Sequence, residues 1–240
     1  MNLIIDVGNS RIKTAVFKNS EIIYNEVFTT RTFMENIFAV IDKYHCVYGI
    51  IASVGSLKKS LISLLKSKIK LIEVDYKTKI PFENAYKTPK TLGVDRIALV
   101  AAAFFEYPKK NVLIIDAGTC ITYDFINEEG VYLGGAISPG IQMRYKALHH
   151  FTEKLPLLNC NDEVSLVGNT SEKSIHSGII NGVINEIDGF VNDYRKKNKD
   201  LTIVLTGGDV NFLANRVKNS IFANPNFLLQ GLNTILTYNI

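Results

Sequence analysis

Three cysteines are all that this chain of 240 residues contains, and that scarcity excludes two classes of protein. Cys46, Cys120 and Cys160 are scattered and odd in number, so they make neither the disulfide framework of a small secreted domain nor a zinc cluster. Histidine is equally sparse. His149 and His150 adjoin Phe151 on an expected helix, His45 and His176 stand alone, and no metal-ligand spacing emerges among the four. No apolar run approaches the roughly 18 residues that a bilayer span needs, so no membrane partner is expected. The N-terminus, Met1-Asn2-Leu3-Ile4-Ile5-Asp6, has neither the basic stretch nor the apolar core of a signal peptide, which makes a cytoplasmic location the expectation. Charge of one sign is also lacking: 27 basic residues face 23 acidic ones. The basic groups Lys58-Lys59, Lys109-Lys110 and Arg195-Lys196-Lys197 are dispersed and read as solvated helix ends. No aromatic residues interleave with them, so no nucleic-acid partner is expected. What remains, 47% hydrophobic and 21% charged, is an ordinary globular composition long enough for one large or two small domains.

One phrase occurs twice. Residues 3–8 read Leu-Ile-Ile-Asp-Val-Gly, and 110 positions later residues 113–118 read Leu-Ile-Ile-Asp-Ala-Gly. Each is an apolar run of buried type that ends in an aspartate and a glycine, followed by Asn9-Ser10 in one case and Thr119-Cys120 in the other. A repeat at this distance in a chain of 240 implies two halves of similar construction. Two strand ends, each presenting a carboxylate and a glycine turn, would suit a nucleotide lying with its phosphates and metal ion in a cleft between two domains.

The surrounding pattern agrees. Leu3–Asp6, Ile12–Phe17 and Glu21–Phe28 are strand candidates, with Asn19-Ser20 as the hairpin turn. Helical spacing over 33–44 (Phe33, Ile37, Val40, Ile41) leads to a strand at Val47–Ala52. A helix is then expected to start at Ser53-Val54-Gly55-Ser56, with Leu57, Leu61, Leu64 and Leu65 on one face. In the second half, Val112–Asp116, Ile121–Ile126 and Val131–Ile137 repeat the three strands, with Asn127–Gly130 as a turn and Pro139 placed in the first turn of a helix. A long helix after Thr170-Ser171 carries Ile175, Ile179, Val183, Ile187 and Val191, and a strand at Leu201–Leu205 ends in Thr206-Gly207-Gly208-Asp209 before another helix. Three strands followed by alternating helices and strands, twice over, resemble the duplicated ribonuclease-H-like domain of the actin, hexokinase and acetate-kinase superfamily. The expected fold is α/β, with two such domains, each a mixed five-stranded sheet flanked by helices. The polar stretch Tyr107-Pro108-Lys109-Lys110 sets the boundary between residues 1–110 and 111–240.

Four segments can carry chemistry. In Asp6-Val7-Gly8-Asn9-Ser10 with Lys13, Gly8 allows a tight turn, Asn9 and Ser10 can donate to phosphate oxygens, Lys13 brings positive charge and Asp6 can hold Mg²⁺ through waters. In Asp116-Ala117-Gly118-Thr119, Thr119 can bond a phosphate and Asp116 can bind a cation; the same residues also suit a turn retained from the duplication. Thr206-Gly207-Gly208-Asp209 lets a flat ligand such as adenosine lie close. Gly93-Val94-Asp95-Arg96 precedes the apolar helix Ile97–Phe105. Its Asp-Arg pair reads either as a helix N-terminal charge with its partner or as a base for a substrate hydroxyl beside a binder of an anionic group. Cys120 has no evident histidine partner and is not expected to be a nucleophile.

Taken in order, these segments resemble the type III pantothenate kinases over nearly the whole chain. Asp6-Val7-Gly8-Asn9-Ser10 with Lys13 looks like that family's first phosphate motif. Tyr86, Pro89 and Leu92-Gly93-Val94-Asp95-Arg96 look like its pantothenate segment, and Asp116-Ala117-Gly118-Thr119 like its second nucleotide motif. Gly134–Gly140, Lys154-Leu155-Pro156 and Gly168-Asn169-Thr170 through Ser177-Gly178 complete the series. The resemblance implies ATP-dependent phosphorylation of the 4′-hydroxyl of pantothenate, the first committed step to coenzyme A. By the same resemblance Asp95 is the proton acceptor, and Tyr86, Gly93, Val94, Asp95, Arg96 and Thr170 contact pantothenate. Asp6, Gly8, Asn9, Ser10, Lys13, Gly118 and Thr119 contact ATP with Mg²⁺, and Asp116 binds potassium or ammonium. It also implies a homodimer in which Thr170 reaches the neighbouring subunit's site. Two positions depart from the usual pattern: Cys120 stands where alanine is common, and Ser10 where threonine is frequent.

Overall fold

Leu3, Ile4 and Ile5 are fully buried, which is what a strand covered on both faces requires, and they lie in β1 (Asn2–Val7) at the centre of the first sheet. The computed structural model describes residues 1–8, 11–53 and 57–240. The expected phosphate contacts of Asn9 and Ser10 lie outside the described residues, as do Val54–Ser56 of the helix start expected at Ser53–Ser56; Ser53 instead ends a strand, and the helix begins at Lys59, after Leu57. β1 pairs antiparallel with β2 (Ile12–Lys18), which turns at Asn19, in the left-handed region at φ 56°, into β3 (Glu21–Phe28). Helix α1 (Thr30–Tyr44) opens with a reciprocal cap between Thr29 and Thr32 and buries Phe33, Ile37, Val40 and Ile41. β4 (Tyr48–Ser53) then runs parallel to β1, followed by α2 (Lys59–Lys68) and β5 (Lys70–Glu73), giving the order β3-β2-β1-β4-β5. After the two-residue strand β6 (Glu83–Asn84) comes α3 (Val94–Glu106), whose residues Arg96–Ala103 are all buried, whereas Phe105 is exposed.

The second half repeats this order. β7 (Val112–Ala117) pairs antiparallel with β8 (Cys120–Ile126), and β9 (Val131–Pro139) follows. Pro139 is the last residue of that strand rather than the first turn of a helix. Gly140 caps α4 (Ile141–His150) because its N–H donates to the Thr119 carbonyl at 3.1 Å, which holds the chain extended through residue 139. α5 (Ser171–Lys197) is capped by the Thr170 hydroxyl and buries the predicted stripe Ile175, Ile179, Val183, Ile187 and Val191. β10 (Thr202–Thr206) lies parallel to β7; α6 (Val210–Ala214) and the short β11 (Phe222–Ala223) complete the order β11-β10-β7-β8-β9. β1 and β7 therefore occupy the same central place, each between its antiparallel hairpin partner and a parallel strand. This sheet has six strands rather than the expected five, because β6 adds to the start of β9 through Glu83–Val131 and Asn84–Tyr132.

The chain ends in α7 (Phe227–Asn239), which no sequence signal assigned to the first half. It packs on α3, and at Gly231 the two backbones come so close that a Cβ would collide with the Ala98 carbonyl. The compact units accordingly do not divide by chain order alone. One comprises Met1–Pro108, Gly130–Tyr132 and Asn226–Ile240, the other Lys109–Glu129 and Leu133–Pro225. Among the described residues, no helix is long and apolar enough to cross a membrane.

Candidate active site

In the first unit, Asp6 stands near the end of β1, opposite Lys13 on β2 and Ala52 on β4. Burial pushes its carboxyl up to about 6; Lys13 counters this and the charge of Asp95 adds to it. Two carboxylates and one ammonium are thus within electrostatic reach of each other. Just beyond, the Gly8 N–H donates to the Arg11 carbonyl at 3.0 Å.

Asp95 is the second residue of α3, after Val94, and its Oδ1 accepts the Arg96 N–H at 2.9 Å. This satisfies one of the N–H groups that a helix start leaves without an intrahelical partner. The cap position is Gly93, where a Cβ would collide with that same Oδ1, so glycine is what lets the carboxylate sit there. The helix-end reading of Asp95 is therefore realised. Its charge also reaches Asp6.

Arg96 is 5% exposed, and its guanidinium lies 5.6 Å from the centre of the Tyr86 ring. Tyr86 in turn stacks on Tyr132, with centroids 6.1 Å apart and planes at 16°. Fully buried Tyr132 meets the edge of Phe82 and accepts the Ala85 N–H on its carbonyl at 3.0 Å. Sequence reasoning missed Tyr132. An aromatic residue in a strand reads as core, and only the β6–β9 pairing brings it under Tyr86.

In the second unit Asp116 is next to last in β7, opposite Thr122 and Thr206. The Gly118 N–H donates to the Cys120 carbonyl at 2.9 Å, and Thr119 is left exposed. Gly207, at φ +99°, folds over this turn where a Cβ would collide with the Ala117 carbonyl and an Asp116 oxygen; the Asp209 N–H then donates to Ala117 at 2.9 Å. Gly207 thus sits against the second Asp-x-Gly turn, an association invisible in its local sequence. Thr170, besides capping α5, lines an open groove of about 1180 Å³ with Leu148, Phe151, Leu155 and Ile175. The other conspicuous groups have structural partners: Tyr145 OH lies 2.7 Å from His176 Nδ1, and His149 Nδ1 lies 2.8 Å from the Leu155 carbonyl. Among the described residues no group of three or more His, Cys, Asp or Glu is placed to hold a metal ion.

The sequence profile of the type III pantothenate kinases matches residues 2–193. A type III pantothenate kinase of Flavobacterium psychrophilum is 50% identical over 99% of both chains. One from Christiangramia forsetii is 53% identical over 100% of this chain and 99% of its own. The chain belongs to the type III pantothenate kinase family. Among solved structures, a Campylobacter jejuni protein described as a Baf-family transcriptional activator superposes with a TM-score of 0.65 at 24% identity, covering 99% of this chain and 98% of that one. A glucokinase from an Antarctic psychrotroph gives 0.52 at 13% identity, with 99% and 98% covered. At those identities the likeness concerns the fold alone, two α/β halves in which three strands are followed by alternating helices and strands.

Proposed function

We propose that this kinase transfers the γ-phosphoryl group of ATP to the 4′-hydroxyl of pantothenate, releasing ADP and 4′-phosphopantothenate, the first step toward coenzyme A. The hydroxyl oxygen forms a bond to the γ-phosphorus, the bond from phosphorus to the β–γ bridging oxygen breaks, and the hydroxyl proton passes to Asp95. The observation that carries this assignment is the position of Asp95, half-buried at the start of α3 and close enough to Asp6 to raise that carboxyl's pKa. A base beside a second, phosphate-side carboxylate is the arrangement that acceptor activation needs.

Tyr86, Gly93, Val94 and Arg96 would bind pantothenate. The stacked and buried guanidinium of Arg96 is pre-set for the substrate's carboxylate. Asp6, Gly8, Lys13, Gly118 and Thr119, with Asn9 and Ser10, would bind ATP. Mg²⁺ fits beside Asp6, since like charge and burial raise its pKa and a cation would relieve both. With no dense ligand cluster among the described residues, that ion would keep mostly phosphate and water oxygens. It would supply charge neutralisation in a loose transition state. Asp116 would hold potassium or ammonium. The chain would act in the cytoplasm as a homodimer, with Thr170 serving the neighbouring subunit's pantothenate site. Incubation with ATP and pantothenate, followed by mass analysis, tests the reading. It predicts a product heavier by one phosphoryl group and modified at the 4′ position; ADP without that product would reject it.

A further inference from the structure

Thr119 and Gly118 form the exposed turn read above as a phosphate contact, and something must hold that turn in place. The nearest support is Gly140, whose N–H donates to the Thr119 carbonyl at 3.1 Å and whose Cα is so close that any Cβ would collide with the carbonyls of Gly118 and Thr119. The turn is therefore tied to Gly140, the residue that follows Ser138 and Pro139. These are gripped by one side chain. Arg144 Nε donates to the Pro139 carbonyl at 2.9 Å, and its Nη2 donates to Ser138 Oγ at 3.0 Å.

The same Nη2 donates to Glu186 Oε2 at 2.6 Å, an ion pair whose two side chains are 22% and 23% exposed. Glu186 Oε1 also accepts the Tyr123 hydroxyl at 3.0 Å, and Tyr123 is fully buried and stacked on Phe190 of α5. Burial disfavours the charge on Glu186, but hydrogen bonds from Arg144, Ser138 and Tyr123 outweigh it and hold the carboxyl below its usual range. A planar guanidinium supplies three directed N–H bonds from one fixed fork, which an ammonium cannot do.

We infer that Arg144 and Glu186 are positioning residues for the Gly118–Thr119 turn, anchoring it to α5 through Ser138, Pro139 and Gly140 and so setting the affinity for the nucleotide. The inference rests on the reading of that turn as a nucleotide contact. Neither residue need touch the substrate. Both lie in the same compact unit as the turn.

The test uses the full-length enzyme and titrates ATP with Mg²⁺ by calorimetry, alongside KM for ATP and for pantothenate. The variants are Arg144→Lys, Glu186→Ala, Glu186→Gln and Thr119→Ala, with thermal melts to confirm folding. Arg144→Lys and Glu186→Ala are expected to weaken ATP roughly tenfold, the scale of losing one or two charge-assisted bonds. KM for pantothenate should stay within about twofold, and Glu186→Gln, which keeps one acceptor oxygen and turns the other into an N–H donor, should recover only part of the loss. Because Arg144 and Thr119 act on one contact, their effects in the double variant should fall short of multiplying. Should Thr119→Ala weaken ATP while Arg144→Lys and Glu186→Ala leave it unchanged, or lower the melting temperature alone, the positioning role is overturned and the nucleotide reading stands. An unchanged ATP affinity in Thr119→Ala would overturn the nucleotide reading of the turn, and the positioning role with it.

Discussion

At the scale of single residues, the proposed reaction would divide between Asp95 and Asp6 the work that two neighbouring carboxylates can do. Asp95 has its orientation set by the Arg96 N–H and by the room that Gly93 leaves. We predict that Asp95→Asn, which keeps shape and removes the proton acceptor, lowers kcat by more than about 100-fold with little change in ATP affinity. Steady-state kinetics check this, and a near-normal kcat would take the base role from Asp95. Asp6 carries a cost that the proposed Mg²⁺ would relieve. Its carboxyl rises from the ordinary 3.8 to about 6 on folding, so the folded state holds the proton more tightly than the unfolded chain. That contribution to stability is fully present below pH 3.8 and is lost as pH rises through about 6. Two units correspond to roughly 3 kcal/mol of strain in the ionised form. Asp6→Asn should therefore melt at a higher temperature than the unaltered protein at pH 8 and lose that advantage toward pH 4. A difference that does not vary with pH would show that Asp6 is not strained.

At the scale of elements, the glycines mark where backbones approach. Gly231 in α7 faces the Ala98 carbonyl of α3, an approach that no side chain permits. Gly231→Ala should lower unfolding stability by about 1–3 kcal/mol, the usual cost of overpacking, as read from the urea midpoint. An unmoved midpoint would mean that the two helices separate freely. The same contact explains what the chain's pattern did and did not reveal. β1 and β7 were legible because central strands are buried on both faces and read as unbroken apolar runs ending in Asp-x-Gly. α1 was legible from its helical spacing, though not its capped first turn at Thr29–Thr32, and α5 from Thr170-Ser171 and its apolar stripe. The destination of α7 was not, since an apolar face shows that a helix packs but not against what. β6 is too short for any periodicity, and with it Tyr132 escaped notice. Arg144 and Glu186 are 42 positions apart and meet only through the tertiary fold. The expected helix turn at Pro139 failed because Gly140 bonds Thr119, a contact with no local signature.

At the scale of the whole molecule, the repeated phrase becomes a repeated topology, with Asp6 and Asp116 at equivalent ends of equivalent central strands. One copy would serve phosphate and Mg²⁺, the other a monovalent cation. From this follows the expectation that Asp116→Asn weakens activation by potassium while leaving pantothenate dependence intact; an unchanged potassium response would reject the assignment. The central claim, pantothenate-dependent phosphoryl transfer, is tested most directly by following ADP release from ATP and Mg²⁺ with and without pantothenate, in potassium and then in sodium buffer. The account predicts turnover only when pantothenate and potassium are both present. Turnover indifferent to pantothenate, or none from the folded protein in any mixture, would contradict it.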